Sequence, residues 1–267
     1  MTGLAQRNAT QRSLLTALRS GLFYFGFVGS TVLWGSLCVL LAWVLPYRWR
    51  FKVVIGWWTG FVLLWLRLTC GIDVRTTGTP AKQACVVLAK HSSTWEALYL
   101  QGLYQPQATL VKKELLNIPF FGWAYRLLRP IAIDRRSPRQ GLKRLIDQGQ
   151  QHLREGSWVV LFPEGTRARP GEQRSFQAGG AALARAADAP IQLVAHTAAY
   201  RWPAHRLMKH PGTIDVVFSE PFYPAGRSSK EITELAEAWM RRTMAQIESS
   251  VDAQALDEAT LLQPVEG

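Results

Sequence analysis

The chain has 267 residues, 48% of them apolar, which is near the upper end for one hydrophobic core and enough to fill it. A formal net charge of +12 favours anionic partners such as an acidic bilayer, a phosphorylated small molecule or an acidic protein. The basic residues are scattered, and no zinc-finger or RNA-recognition signature accompanies them, so nucleic acid is excluded as the expected partner. Cys38, Cys70 and Cys85 are odd in number and widely spaced, which argues against a disulfide framework and a zinc site and for a cytoplasmic location of the bulk of the chain.

The first predicted element is apolar. Residues 21–47 hold no charge and include Phe23, Tyr24, Phe25, Phe27, Trp34, Leu40, Leu41 and Trp43, more than the roughly 20 residues a membrane span requires. That run is too long for the apolar region of a cleaved signal peptide, and no small-x-small site follows it. A second uncharged run, 53–66, is about 14 residues and too short to cross alone, while its Trp57, Trp58 and Trp65 suit a bilayer interface. Arg7, Arg12 and Arg19 precede the first run, and Arg48, Arg50 and Lys52 follow it. Equal basic flanks predict that both ends lie on the cytoplasmic side, as in a hairpin that dips into one leaflet.

Beyond residue 70 strand-like and helix-like segments alternate. The clearest strands are 86–89, 158–161, 191–194 and 214–218. Residues 140–153 keep Leu142, Leu145, Ile146 and Leu153 near one helical face, and 229–247 do the same with Ile232, Leu235, Trp239 and Met240. This alternation predicts an α/β sheet. Periodicity fades at about residue 249. The chain therefore divides into an N-terminal helical hairpin (1–70), an α/β domain (71–248) and a C-terminal tail (249–267).

Two short blocks follow apolar strands and carry the chemistry. The first is His91-Ser92-Ser93-Thr94-Trp95-Glu96. Residues five apart on one regular helix point about 140° away from each other, so His91 is expected in the loop after strand 86–89, folded over the first turn of a helix that starts near Ser93. There Glu96 fixes the imidazole tautomer, and the other ring nitrogen serves as a general base. The same residues spell a capping box, Ser93-x-x-Glu96, in which the carboxylate satisfies a backbone N–H. The N–H groups of that first turn are also candidates to hold an oxyanion. Ser92 and Ser93 are read as helix-start residues, because no Gly-x-Ser-x-Gly elbow surrounds them. The second block is Phe162-Pro163-Glu164-Gly165-Thr166-Arg167, where Gly165 permits close backbone approach, Arg167 offers a bidentate fork to phosphate and Glu164 orients that arginine. A base with an anion clamp points to acyl transfer onto a phosphorylated alcohol. His152, His205 and His210 lack partners at ligand spacing, so no metal is expected.

Taken in order, the blocks resemble the lysophospholipid acyltransferase family. Between them lies Lys112-Lys113-Glu114-Leu115-Leu116-Asn117-Ile118-Pro119-Phe120-Phe121-Gly122-Trp123, then Ile133-Asp134-Arg135, and Phe176 and Gly179 match a further Phe-x-x-Gly. The resemblance covers about residues 74–218. It implies a glycerolipid acyltransferase-like mixed α/β sheet flanked by helices, with an N-terminal two-helix membrane hairpin. It also implies His91 and Glu96 as the catalytic pair, with Glu164, Gly165, Thr166, Arg167, Arg135, Lys112 and Lys113 binding substrate. The implied reaction moves a fatty acyl group from acyl-CoA or acyl carrier protein to lysophosphatidic acid, giving phosphatidic acid at the cytoplasmic face of a bacterial-type inner membrane, with no cofactor. Another lyso-lipid acceptor, such as a lyso-ornithine lipid, is the alternative within the class. A non-catalytic basic protein that binds anionic membrane is the alternative outside it. Two departures stand out: Glu96 replaces the family's Asp, and Val194-Ala195-His196-Thr197-Ala198 replaces its Pro-containing fourth block. No role for His196 follows from the sequence.

Overall fold

Two long helical segments open the computed structural model, which describes residues 2–134, 136–249 and 251, with side chains inside the first helix described from residue 13. Helix α1 (Thr2–Leu41) passes through a 3-10 turn at Ala42–Val44 into α2 (Tyr47–Arg50), a π-helical stretch Phe51–Trp57 and α3 (Trp58–Cys70). The second apolar run is thus longer than expected. Helical geometry continues through Lys52 and Arg67, and by length and composition Ser13–Val44 and Tyr47–Cys70 are each sufficient to cross a membrane. Gly71, at φ 66°, ends α3 with its N–H on the Arg67 carbonyl, as a left-handed C-terminal cap does. Where the two segments meet, a Cβ at Gly26 would lie 2.2 Å from Trp65 Nε1, so only glycine admits that indole.

The hairpin lies against the body of the protein along much of its length. Lys209 N–H donates to Ser20 Oγ (2.9 Å), Phe23 meets Trp202 edge-on at 5.1 Å, and Gly35 leaves room for the Phe120 carbonyl. Its outward face exposes Leu18, Phe25, Leu33, Leu40 and Trp43.

The body is built on a seven-stranded sheet in the order β1-β7-β6-β2-β5-β3-β4. The strands are β1 (Ile72–Thr77), β2 (Val86–Ala89), β3 (Gln107–Lys112), β4 (Ile131–Ile133), β5 (Trp158–Leu161), β6 (Ile191–His196) and β7 (Gly212–Phe218). Strands β6, β2, β5, β3 and β4 are parallel, whereas β7 runs against β6 and pairs parallel with β1, so the sheet is mixed. Side chains alternate between two layers. Val86, Leu88, Val159 and Leu161 pack in the core that includes Leu145 of α6 (Pro138–Arg154), Leu183 of α7 (Gly179–Ala187) and Ile232 of α8 (Ser229–Glu248). Val87, Ala89 and Val160 join the core containing α4 (Trp95–Leu103), α5 (Phe121–Arg126) and the hairpin. The tail expected from residue 249 lies, from 252 on, outside the described residues.

Candidate active site

Because β2, β3, β4 and β5 are parallel, the segments that follow them all emerge at one edge of the sheet, the carboxyl edge where open α/β sheets place their ligands. His91 sits two residues beyond β2. Helix α4 begins at Trp95, and Glu96 falls in its first turn. The imidazole folds back so that His91 Nδ1 lies 2.9 Å from Glu96 Oε1. The same oxygen accepts the backbone N–H groups of Ser92 (3.0 Å) and Ser93 (2.9 Å). The base-orienting and helix-start readings of Glu96 are therefore not alternatives, since one oxygen does both jobs.

Glu96 is fully buried. Burial pushes its carboxyl up, but the hydrogen bond with His91, the neighbouring His196 and His91 imidazoles and the Ser93 N–H together hold it below the usual carboxylate range. A carboxylate beside Nδ1 favours the Nδ1–H tautomer and leaves Nε2 as the basic nitrogen, with no protein partner among the described residues. The proposed oxyanion donors need correction. Ser92 and Ser93 N–H are taken by Glu96, and Trp95 N–H is taken by Ser93 Oγ (3.1 Å), which removes these three groups from the candidates.

The second block is brought directly against the first. Phe162 stacks on the His91 ring at 4.3 Å between centroids, and Ala168 N–H donates to the His91 carbonyl (2.8 Å). Gly165 takes φ 71°, and a Cβ there would lie 2.6 Å from the Gln177 amide, so a side chain is excluded on both grounds. Thr166 is exposed. Arg167, one residue before the bond to His91, is half-buried and has no ion pair among the described residues. Lys112 ends β3, Lys113 follows it, and both are exposed. Arg135 lies outside the described residues.

Glu164 does not orient Arg167. It is buried and paired with Lys90, Nζ to Oε1 at 3.0 Å, while Lys90 Nζ also donates to the Glu172 carbonyl (3.2 Å). Two buried charges on adjacent strand ends satisfy each other, so Glu164 is committed to Lys90 and not to the arginine. Burial raises the Glu164 carboxyl, and Lys90 only partly offsets it. Lys90 was absent from the sequence-based site. The one signal was its place between a fully apolar strand and His91, where a lysine needs a partner.

A family model described as acyltransferase matches residues 71–197, a range that contains both blocks. The 1-acyl-sn-glycerol-3-phosphate acyltransferase of Pseudomonas aeruginosa is 42% identical over 240 residues, covering 88% of this chain and 93% of that protein. The chain belongs to the acyltransferase family. The enzyme of the same name from Saccharomyces cerevisiae is 28% identical over 64% of this acyltransferase and 59% of its own length. The crystal structure of the 1-acyl-sn-glycerophosphate (LPA) acyltransferase from Thermotoga maritima superposes with a TM-score of 0.72 at 25% identity, over 90% of this chain and 97% of that one. Family membership removes the reading of a non-catalytic membrane-binding protein.

Proposed function

We propose that this acyltransferase transfers a fatty acyl group from an acyl thioester to the free hydroxyl of lysophosphatidic acid, producing phosphatidic acid. The observation that carries the reading is His91, held by Glu96 with Nε2 open among the described residues, one hydrogen bond away from the segment bearing Arg167, which has no ion pair among them. Nε2 takes the proton as the acceptor oxygen attacks the thioester carbonyl, and the carbon–sulfur bond breaks. The imidazolium then returns the proton to the departing thiolate, so no acyl-enzyme forms and no cofactor is consumed. Arg167, Lys113, Lys112 and Arg135 supply cations for the acceptor phosphate or the donor. The activity for which both relatives are named, acylation of 1-acyl-sn-glycerol-3-phosphate, supports this acceptor. Transfer of a labelled acyl group from acyl-CoA and from acyl carrier protein to lysophosphatidic acid tests the reading and identifies the donor. Absence of product with both donors would overturn it.

Arg167→Lys separates phosphate recognition from general charge. Lysine keeps the charge but loses the planar fork. A charge-assisted hydrogen bond contributes about 1.5–3 kcal/mol, so KM for lysophosphatidic acid is expected to rise about 10- to 100-fold. Turnover of a phosphate-free acceptor such as a lyso-ornithine lipid is expected to be unaffected, and an equal loss with both acceptors would remove Arg167 from the phosphate.

For the membrane, the contacts from Ser20 to Gly35 cover about 22 Å of α1. A folded body packed along that length of α1 cannot lie within a hydrocarbon core of about 30 Å, which supports a hairpin lying in one leaflet, and the basic flanks of the hairpin support a catalytic body at the cytoplasmic face. Single substitutions Arg19→Cys and Arg48→Cys place thiols on exposed flanks of the hairpin. Both are expected to react with a membrane-impermeant maleimide in inverted vesicles and neither in right-side-out vesicles. Labelling from opposite sides would show a span.

A further inference from the structure

His196 is the motif residue that the proposed reaction leaves unused. The parallel pairing of β2 with β6 ends at Ala89–Val194, with Lys90 N–H on the Val194 carbonyl (2.9 Å). The Lys90 carbonyl, one residue past that last paired position, receives its donor from a side chain: His196 Nε2, at 2.9 Å. On the other edge of the ring, Ala198 N–H donates to Nδ1 (3.2 Å). With Nδ1 accepting and Nε2 donating, the tautomer is fixed and the ring is neutral. It is 1% exposed and meets Trp95 edge-on at 5.9 Å. His196 Nε2 also lies 4.0 Å from Glu96 Oε2, an oxygen with no hydrogen-bond partner among the described residues.

We infer that His196 is a positioning residue for the His91–Glu96 pair: it hydrogen-bonds the Lys90 carbonyl that leads into His91 and sets the same ring nitrogen 4.0 Å from the Glu96 carboxylate. The inference rests on the reading of His91 as the general base. The charged or titratable groups that face the ring are Glu96 on α4, Lys90 at the end of β2 and His91 in the loop between them. Neutrality matters. A cation here would compensate Glu96 in place of His91 and weaken the carboxylate's hold on the imidazolium formed during the reaction. An N–H dipole bonded to the Lys90 carbonyl, with its nitrogen 4.0 Å from Oε2, favours the ionised carboxylate yet leaves its full charge to His91. Burial is what keeps the ring uncharged, because it depresses the His196 imidazole more strongly than Glu96 raises it.

The test compares wild type, His196→Leu, His196→Gln, His196→Asn and His91→Ala as purified proteins in detergent micelles. Gln places an N–H near the Nε2 position, Asn reaches only the Nδ1 side, and Leu offers neither. His196→Leu is expected to lose at least about 10-fold in kcat, with KM for acyl donor and acceptor within about 2-fold. The acid limb of its kcat profile should move to lower pH, since a loosened Glu96 holds the imidazolium less well. His196→Gln should recover most of the turnover, and His196→Asn should not. A kcat and pH profile for His196→Leu equal to wild type overturns the inference. If Leu fails to fold, Gln and Asn decide alone, and equal turnover by those two overturns it. An active His91→Ala would instead defeat the general-base reading; an inactive His91→Ala beside a normal His196→Leu defeats only the positioning role.

Discussion

His91→Ala is expected to reduce kcat by about 10²- to 10⁴-fold while leaving the unfolding transition in place. Alanine removes Nε2 but keeps the backbone carbonyl that accepts Ala168 N–H, and Glu96 keeps the Ser92 and Ser93 N–H groups, so the loop and the start of α4 retain their bonds. Glu96→Gln is a finer probe, because those two N–H groups demand an oxygen at the Oε1 position. The amide oxygen must therefore occupy it and continue to accept from His91 Nδ1. Tautomer control survives and only the negative charge is lost, so turnover should fall less than in His91→Ala, by roughly 10-fold or more, about the worth of one charged hydrogen bond. Single-turnover acyl transfer beside thermal unfolding checks both variants. A Glu96→Gln enzyme with wild-type turnover would leave the carboxylate charge without a role, and an active His91→Ala would remove the base.

What could be read before the structure follows from how local the determinants are. Strands 86–89 and 158–161 were legible to the residue because central parallel strands are buried on both faces and become continuous apolar runs. Helices α6 and α8 were legible from their apolar faces, within two residues at each end. Strand β1 was missed because, at the sheet edge, Asp73, Arg75, Thr76 and Thr77 are exposed and look like loop. Strands β3 and β4 were missed because their pairing with β5 and with each other is non-local and one of them is only three residues long. At the site, His91 and Glu96 are near neighbours in sequence, and the loop-to-helix geometry that joins them could be deduced from spacing alone. Glu164 could not be placed that way. Arg167 is three residues away from it and Lys90 seventy-four, and only the adjacency of β2 and β5 shows which cation receives it. The same holds for His196, whose partners are brought to it by the β2–β6 pairing.

The Lys90–Glu164 pair carries the largest expected effect on stability. Lys90→Met leaves a buried carboxylate without its cation, a change that ordinarily costs about 3–5 kcal/mol. A cavity of about 270 Å³ lined by Lys90, Glu164, Phe176 and Met240 borders the pair and has room for water, which favours the lower end, about 3 kcal/mol. The loss has a defined pH dependence. In the wild type, burial already lifts the folded-state Glu164 carboxyl above its ordinary 4.5, against the opposing pull of Lys90. The folded chain then binds the proton more tightly than the unfolded chain. The resulting stabilisation is complete below the ordinary value and is lost as pH rises through the folded value. Removing Lys90 lifts the folded value further and extends that window upward. The cost of Lys90→Met should therefore be greatest at about pH 8 and shrink steadily toward about pH 5, as Glu164 takes up a proton and ceases to be a buried charge. Lys90→Met combined with Glu164→Leu should recover most of the stability, since an apolar pair of similar volume replaces a buried ion pair at little cost. Unfolding midpoints in detergent micelles across that pH range read both effects. A single variant as stable as wild type at about pH 8, or a double variant no better than the single one, would show that the pair contributes through neither charge nor burial. Glu164 Oε1 also lies 3.5 Å from the His91 N–H, so the double variant gives up one contact with the catalytic loop. Its turnover should fall by much less than that of His91→Ala, because Glu96, Phe162 and Ala168 still hold the imidazole and its backbone.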